Sequence, residues 1–136
     1  MAVEKSCGGV IFKDEKYLLL KYGWGHWGFV KGNIEKGERI EETFLREAEE
    51  EAGLKKDDLK IIEGFRERIS YFYKKEGKTV YKEVIYLLAE SKTYDVVLSH
   101  EHTSYEWLEY EDALKRITFE NDRNVLRKAE EFLRRK

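Results

Sequence analysis

Gly32-Asn33-Ile34-Glu35-Lys36-Gly37-Glu38 runs through Arg39 into Ile40-Glu41-Glu42-Thr43-Phe44-Leu45-Arg46-Glu47-Ala48-Glu49-Glu50-Glu51-Ala52-Gly53-Leu54. The second half has helical periodicity. At roughly 100° per residue, Ile40, Phe44, Leu45, Ala48 and Ala52 share an arc of about 140°, the width of a face that packs on a sheet. Gly53 follows as a stop, because glycine accepts the left-handed backbone that ends a helix. The spacing therefore predicts a helix over Ile40 to Ala52, preceded by a loop with two glycines.

The same wheel places carboxylates where carboxylates are costly. Glu51 falls inside the apolar arc between Ile40 and Phe44, Glu47 borders it, and Glu50 lies about 60° further round. Glu42 and Glu49 point the other way. Three like charges at i, i+3 and i+4 repel one another and raise their own pKa values. A divalent cation converts that repulsion into binding, and an all-oxygen donor set selects magnesium, or alternatively manganese, over softer metals. Arg46 is adjacent and able to pair with one of them. The bland alternative is a solvated helix in a Glu-rich chain, since 22 of the 136 residues are Glu.

Outward from this core, the chain begins with strand-like material. Val10 to Phe12 and Tyr17 to Leu20 flank Lys13-Asp14-Glu15-Lys16 as a hairpin, and Tyr22 to Phe29 forms a glycine-aromatic loop. Leu59 to Ile62, Arg68 to Tyr73, Thr79 to Ala89 and Tyr105 to Leu108 read as strands. Glu111 to Ile117 and Asn124 to Leu133 read as closing helices. The order of strands, helix, strands, helices predicts an α/β (α+β) domain with a mixed β-sheet between helices, one domain over residues 1–136.

Composition narrows the function. The 26 basic and 28 acidic side chains nearly cancel, which argues against general nucleic-acid binding. One cysteine and three histidines do not suggest a zinc site, and Cys7 has no internal disulfide partner. There is no apolar run near the roughly 20 residues that span a bilayer, and the first residues lack the apolar core of a signal peptide. A cytoplasmic protein, a monomer or weak dimer, is expected. The Glu and Lys richness and the absence of Gln match a composition frequent in heat-stable proteins.

Residues 32–54 resemble the Nudix box. Gly32, Glu38, Arg46, Glu47, Ala48, Glu50, Glu51, Gly53 and Leu54 fill every specified position of that motif. The resemblance implies an α/β/α sandwich and hydrolysis of a nucleoside diphosphate linked to another group. It further implies that Glu47, Glu50 and Glu51 bind the metal, that Glu47 or Glu50 helps activate water, and that Glu38 and Arg46 pair structurally.

Beyond the box, the chain is similar to the asymmetrically cleaving diadenosine tetraphosphate hydrolases. The pieces are His26-Trp27 before Lys31-Gly32, Ile61 to Phe65, Ile85 to Glu90 and Leu98 to His102, with Tyr105, Trp107 and Leu108 following. Carried over by position, Glu101 would be a further metal-binding carboxylate, and His26 and Lys31 would contact phosphates. Tyr71 and Phe119 would stack on adenine. Lys75, Lys78 and Lys82, beside one hairpin, could form a cationic rail for a long phosphate chain. Stacking alone predicts weak discrimination between adenine and guanine. Tyr71, Phe119 and the lysines also have plainer readings, as core or solubilising residues. This chain departs from the eukaryotic pattern by carrying Phe29-Val30 for a Pro-Pro pair and Asn33 for a His. ADP-ribose, an oxidised nucleoside triphosphate and an RNA 5′ end are the alternative substrates, and a non-catalytic nucleotide-binding module is the alternative class.

Overall fold

The computed structural model describes residues 1–135. Its strands are β1 (Ala2–Lys13), β2 (Lys16–Tyr22), β3 (Trp27–Gly28), β4 (Val30–Asn33), β5 (Leu59–Ile61), β6 (Glu67–Lys75), β7 (Lys78–Ser91) and β8 (His102–Glu109). Its helices are α1 (Ile40–Ala52), α2 (Tyr110–Arg116) and α3 (Glu120–Arg134). β1 runs parallel to β7 along nearly its whole length, from Ala2 beside Val80 to Phe12 beside Glu90. All other pairings are antiparallel, so the sheet is mixed.

Alternation along the central strands explains the three layers. Cys7 and Ile11 of β1, Leu18 and Leu20 of β2, and Leu87 and Ala89 of β7 face α1, where they meet Phe44, Ala48 and Ala52. Their neighbours Val10, Tyr17, Leu19, Val84, Tyr86 and Leu88 face the other way, against Ala113, Ile117, Val125, Leu126 and Ala129 of the α2–α3 layer. A strand buried on both faces reads as a continuous apolar run, as Tyr17 to Leu20 does. The expected α/β/α sandwich is what forms.

The predicted helix Ile40 to Ala52 matches α1 residue for residue, and Gly53 ends it at φ +68°. Its buried face is turned slightly from the predicted arc: Thr43, Glu47 and Glu51 are buried, whereas Ile40 and Leu45 are only half-buried. Packing supplies the reason, because α1 leans toward β4 as well as β1. Gly9 lets it approach, since a Cβ there would stand 2.4 Å from the Phe44 ring. The first hairpin is smaller than expected. β1 and β2 pair only at Phe12–Tyr17 and Lys13–Lys16, and then diverge so that β4 can pair with β1 from Ser6 to Gly9. β4 was hidden in the sequence because its four residues, Val30-Lys31-Gly32-Asn33, include a glycine and alternate only once. Phe119 is 52% exposed, so it is no core residue.

Candidate active site

β4 separates two neighbourhoods. Its alternation sends Lys31 toward a cavity on the α3 side, while Gly32 faces α1. A Cβ on Gly32 would stand 2.0 Å from the Glu47 carboxyl, so only glycine leaves that carboxylate its place. The Lys31 backbone N–H donates to Glu51 Oε1 at 3.1 Å. Thus one short strand holds two of the box carboxylates.

Arg46 organises the rest. Its Nε and Nη2 donate to the two carboxyl oxygens of Glu38 at 2.7 and 3.1 Å, a bidentate fork that lysine cannot reproduce. Nη1 donates to Glu47 at 2.8 Å and, at a longer 3.3 Å, to Glu50. Nη2 also reaches the Asn33 carbonyl at 3.0 Å, tying α1 to the end of β4. Glu38 further accepts from Thr43 Oγ1 at 2.8 Å and the Glu35 N–H at 2.9 Å. These donors, Arg46 first, hold the Glu38 carboxyl down at about 2.

Glu47 and Glu51 behave oppositely. Burial pushes the Glu51 carboxyl up to about 8, helped by the charges of Glu47 and Glu101, with the Lys31 N–H opposing. Burial also raises Glu47, with Glu50 and Glu101 adding to the rise and Arg46 resisting it. Glu101 is exposed, yet its charge is felt at both buried carboxyls, so its loop brings it to them from outside α1. That loop docks on α1 through Ser99 N–H to Glu51 O at 3.3 Å and Val97 N–H to Ala52 O at 2.9 Å. Among the described residues, no three His, Cys, Asp or Glu side chains already surround one point as metal ligands. The donor set nevertheless fits a hard cation: two buried carboxyls whose charged forms are disfavoured, and two exposed ones beside them.

The cavity on the other side of β4 encloses about 600 Å³. Tyr71 and Tyr73 of β6, Lys82 of β7, Lys31, His26 and Phe119 all line it. The β6–β7 register places Lys82 beside Tyr71 and Lys78 beside Lys75, so the three hairpin lysines share the face of the two tyrosines. Of those three, Lys82 lines the cavity itself. It donates to Asn33 Oδ1 at 2.9 Å, and both Lys82 and Lys75 pair with Glu4. Lys31 sits 5.7 Å from the centre of the Tyr71 ring. His26 stacks on Tyr22 with ring centres 4.5 Å apart and leans on Phe119 at 5.3 Å. Burial lowers its pKa, with Lys31 contributing.

Cavity residues that the sequence reading did not assign to the site include Tyr22, Trp24, Asn121 and Asp122. Trp24, 95% exposed at the rim, carried a signal in its glycine-flanked loop. Asp122 carried none, because an aspartate in the first turn of a helix is ordinary. His102, at the start of β8, is buried with Nδ1 3.1 Å from Ser99 Oγ, which braces the loop that carries Glu101.

The NUDIX domain model matches residues 4–129. The asymmetrical bis(5′-nucleosyl)-tetraphosphatase of Rattus norvegicus is 38% identical over 143 residues, covering 95% of each chain. That of Caenorhabditis elegans is 38% identical over 138 residues, covering 96% of this chain and 97% of its own. A crystal structure of a C. elegans Ap4A hydrolase binary complex superposes with a TM-score of 0.84 at 36% identity, over 96% of this chain and 97% of that one. With its box carboxylates gathered on α1 and this likeness running nearly end to end, the chain belongs to the Nudix family.

Proposed function

We propose that the protein hydrolyses diadenosine tetraphosphate asymmetrically to ATP and AMP. What carries this reading is the adjacency of an aromatic, lysine-lined cavity to the carboxylates of the box, across the single strand β4. The near full-length likeness to asymmetrical bis(5′-nucleosyl)-tetraphosphatases supports the same substrate.

Glu47, Glu50, Glu51 and Glu101 would hold magnesium, or manganese in its place. When bound, such a cation neutralises the phosphates and acidifies a coordinated water. Arg46 orients Glu47 and Glu50, and one of these two accepts the proton of the attacking water. Tyr71 and Phe119 hold one adenine by stacking. Lys31, His26 and Lys82 meet the phosphates as they leave the cavity, and Lys75 and Lys78 extend positive charge outward for the far end of the chain. Attack off-centre follows from this asymmetry, because one base is anchored and the scissile phosphorus lies a fixed distance from it. Every group named belongs to one chain, so a monomer suffices.

Products of diadenosine tetraphosphate with magnesium in oxygen-18 water, separated by ion exchange, test the reading. ATP plus AMP with the label on one of them is expected. Two ADP, or no turnover beside good turnover of ADP-ribose, an oxidised nucleoside triphosphate or an RNA 5′ end, would overturn it.

A further inference from the structure

The cavity wall carries a carboxylate that the proposed hydrolysis does not use. Asp122, in the first turn of α3, is only 5% exposed. Its Oδ1 accepts from the hydroxyl of Tyr86, itself fully buried, at 3.0 Å. Oδ2 lies over Gly28, where a Cβ would stand 3.3 Å away, and among the described residues no donor reaches it. Asp122 lines the cavity together with Tyr71, Phe119 and Asn121. The box carboxylates lie on the α1 side of β4, whereas Asp122 shares the cavity wall with the rings of Tyr71 and Phe119.

Oδ2 is not sealed away, so a ligand in the cavity can meet it. Burial raises the pKa of Asp122, while Lys31 and the Tyr86 hydroxyl resist that rise. Ionised or neutral, the group keeps an oxygen that accepts an N–H. The aromatic rings of Tyr71 and Phe119 stack on any base and read none of them. A carboxyl oxygen on the same wall supplies what rings lack: it accepts an amino hydrogen and gains nothing from a base edge without one.

We infer that Asp122 reads the amino group of an aminopurine, accepting its N–H at Oδ2 while the base lies between Tyr71 and Phe119. This rests on the dinucleotide reading above, and it adds hydrogen-bond selection where the sequence suggested stacking without it. Asp122 is thus a specificity residue, and Tyr86 positions it.

Calorimetric titration with AMP and with purine riboside 5′-monophosphate, which lacks only the amino group, tests this in EDTA. The wild type is expected to bind AMP about ten- to a hundredfold more tightly, the range of one hydrogen bond to a charged group. Asp122→Leu should bring the two affinities within about twofold, a hydrogen bond's selectivity removed. Asp122→Asn, which keeps the shape and an acceptor for Tyr86, should reduce the preference several-fold should the leucine variant fail to fold. Equal binding by the wild type, or an unchanged preference in the asparagine variant, would overturn the inference. Turnover of diadenosine tetraphosphate without an AMP preference would sink the Asp122 assignment alone. An AMP preference without that turnover would sink the tetraphosphate reading alone.

Discussion

Gly32 and Glu47 compete for one space: a Cβ on Gly32 would lie 2.0 Å from the Glu47 carboxyl. The obstacle is the end of a flexible side chain, so Gly32→Ala is accommodated by swinging Glu47 away. Stability should fall by no more than about 1 kcal/mol, an ordinary surface-to-intermediate substitution. Activity should fall about a hundredfold or more, because misplacing a catalytic group by an ångström costs that much. Gly8→Ala should do the reverse. Its Cβ would stand 2.1 Å from the Val30 carbonyl oxygen, a backbone atom paired across β1 and β4, so the melting temperature should drop first. Equal activity losses at equal stability in the two variants would contradict this division.

Glu51→Gln separates fold from metal binding. The folded pKa of about 8 lies above the ordinary glutamate value of 4.5, so ionising this acid destabilises the folded state. Stability is full below pH 4.5 and is lost as pH rises through 8. In EDTA the glutamine variant should therefore melt higher than the wild type at pH 8, by a few kcal/mol at about 1.4 kcal/mol per pKa unit, and similarly to it at pH 4.5. Magnesium should raise the wild-type melting temperature and leave that of the variant unmoved, while turnover in the variant is abolished. Glu50→Gln should also lose turnover with little change in melting, since Glu50 is exposed. Wild-type rates from both variants would refute the metal assignment.

The Glu38–Arg46 fork should show itself in acid. Glu38 is held at about 2 against an ordinary glutamate value of 4.5, so its contribution is present above pH 4.5 and disappears as pH falls through 2. Glu38→Gln should melt lower than the wild type at pH 7, with the gap closing across that window. Arg46→Lys should lose the fork as well and lower kcat, because Glu47 and Glu50 lose their shared donor. Melting curves at stepped pH decide this; a gap that does not change with pH would remove Glu38 from the account.

On the stacking proposed for Tyr71 and Phe119, removing either ring should raise KM more than it lowers kcat. Tyr71→Leu and Phe119→Leu are each expected to cost roughly 1–3 kcal/mol of base binding, about five- to 150-fold. Phe119 is half-exposed and carries little of the core, so its variant should keep the wild-type melting temperature. A kcat loss at constant KM would place these rings elsewhere in the reaction.

The surface also bears on heat stability. Glu15, Arg134 and Glu130 form a linked set whose last member accepts the Tyr17 hydroxyl at 2.6 Å. Glu120 similarly joins Arg123 and Arg127. Networks of this kind matter more as temperature rises, because charge desolvation then costs less. Melting well above the mesophile range of about 45–65 °C is expected, and an ordinary value in scanning calorimetry would refute it.

The sequence by itself determined what is local. The extent of α1, the stop at Gly53, and the convergence of Glu47, Glu50 and Glu51 on one helix edge all follow from a 3.6-residue period and a single left-handed glycine. The two buried faces of the sheet follow from the uninterrupted apolar runs Tyr17 to Leu20 and Val84 to Ala89, because successive strand residues face opposite sides. Tertiary structure alone decided what meets across distance. It set Gly32 against Glu47, brought Glu101 to α1 through a docked loop, and put Lys82 beside Tyr71 by strand register. It also seated Asp122 beside Gly28 and Tyr86. No periodicity encodes those meetings, because each depends on β4 and α3 packing against residues dozens of positions away, where the energy lies in burial shared between segments rather than in either one.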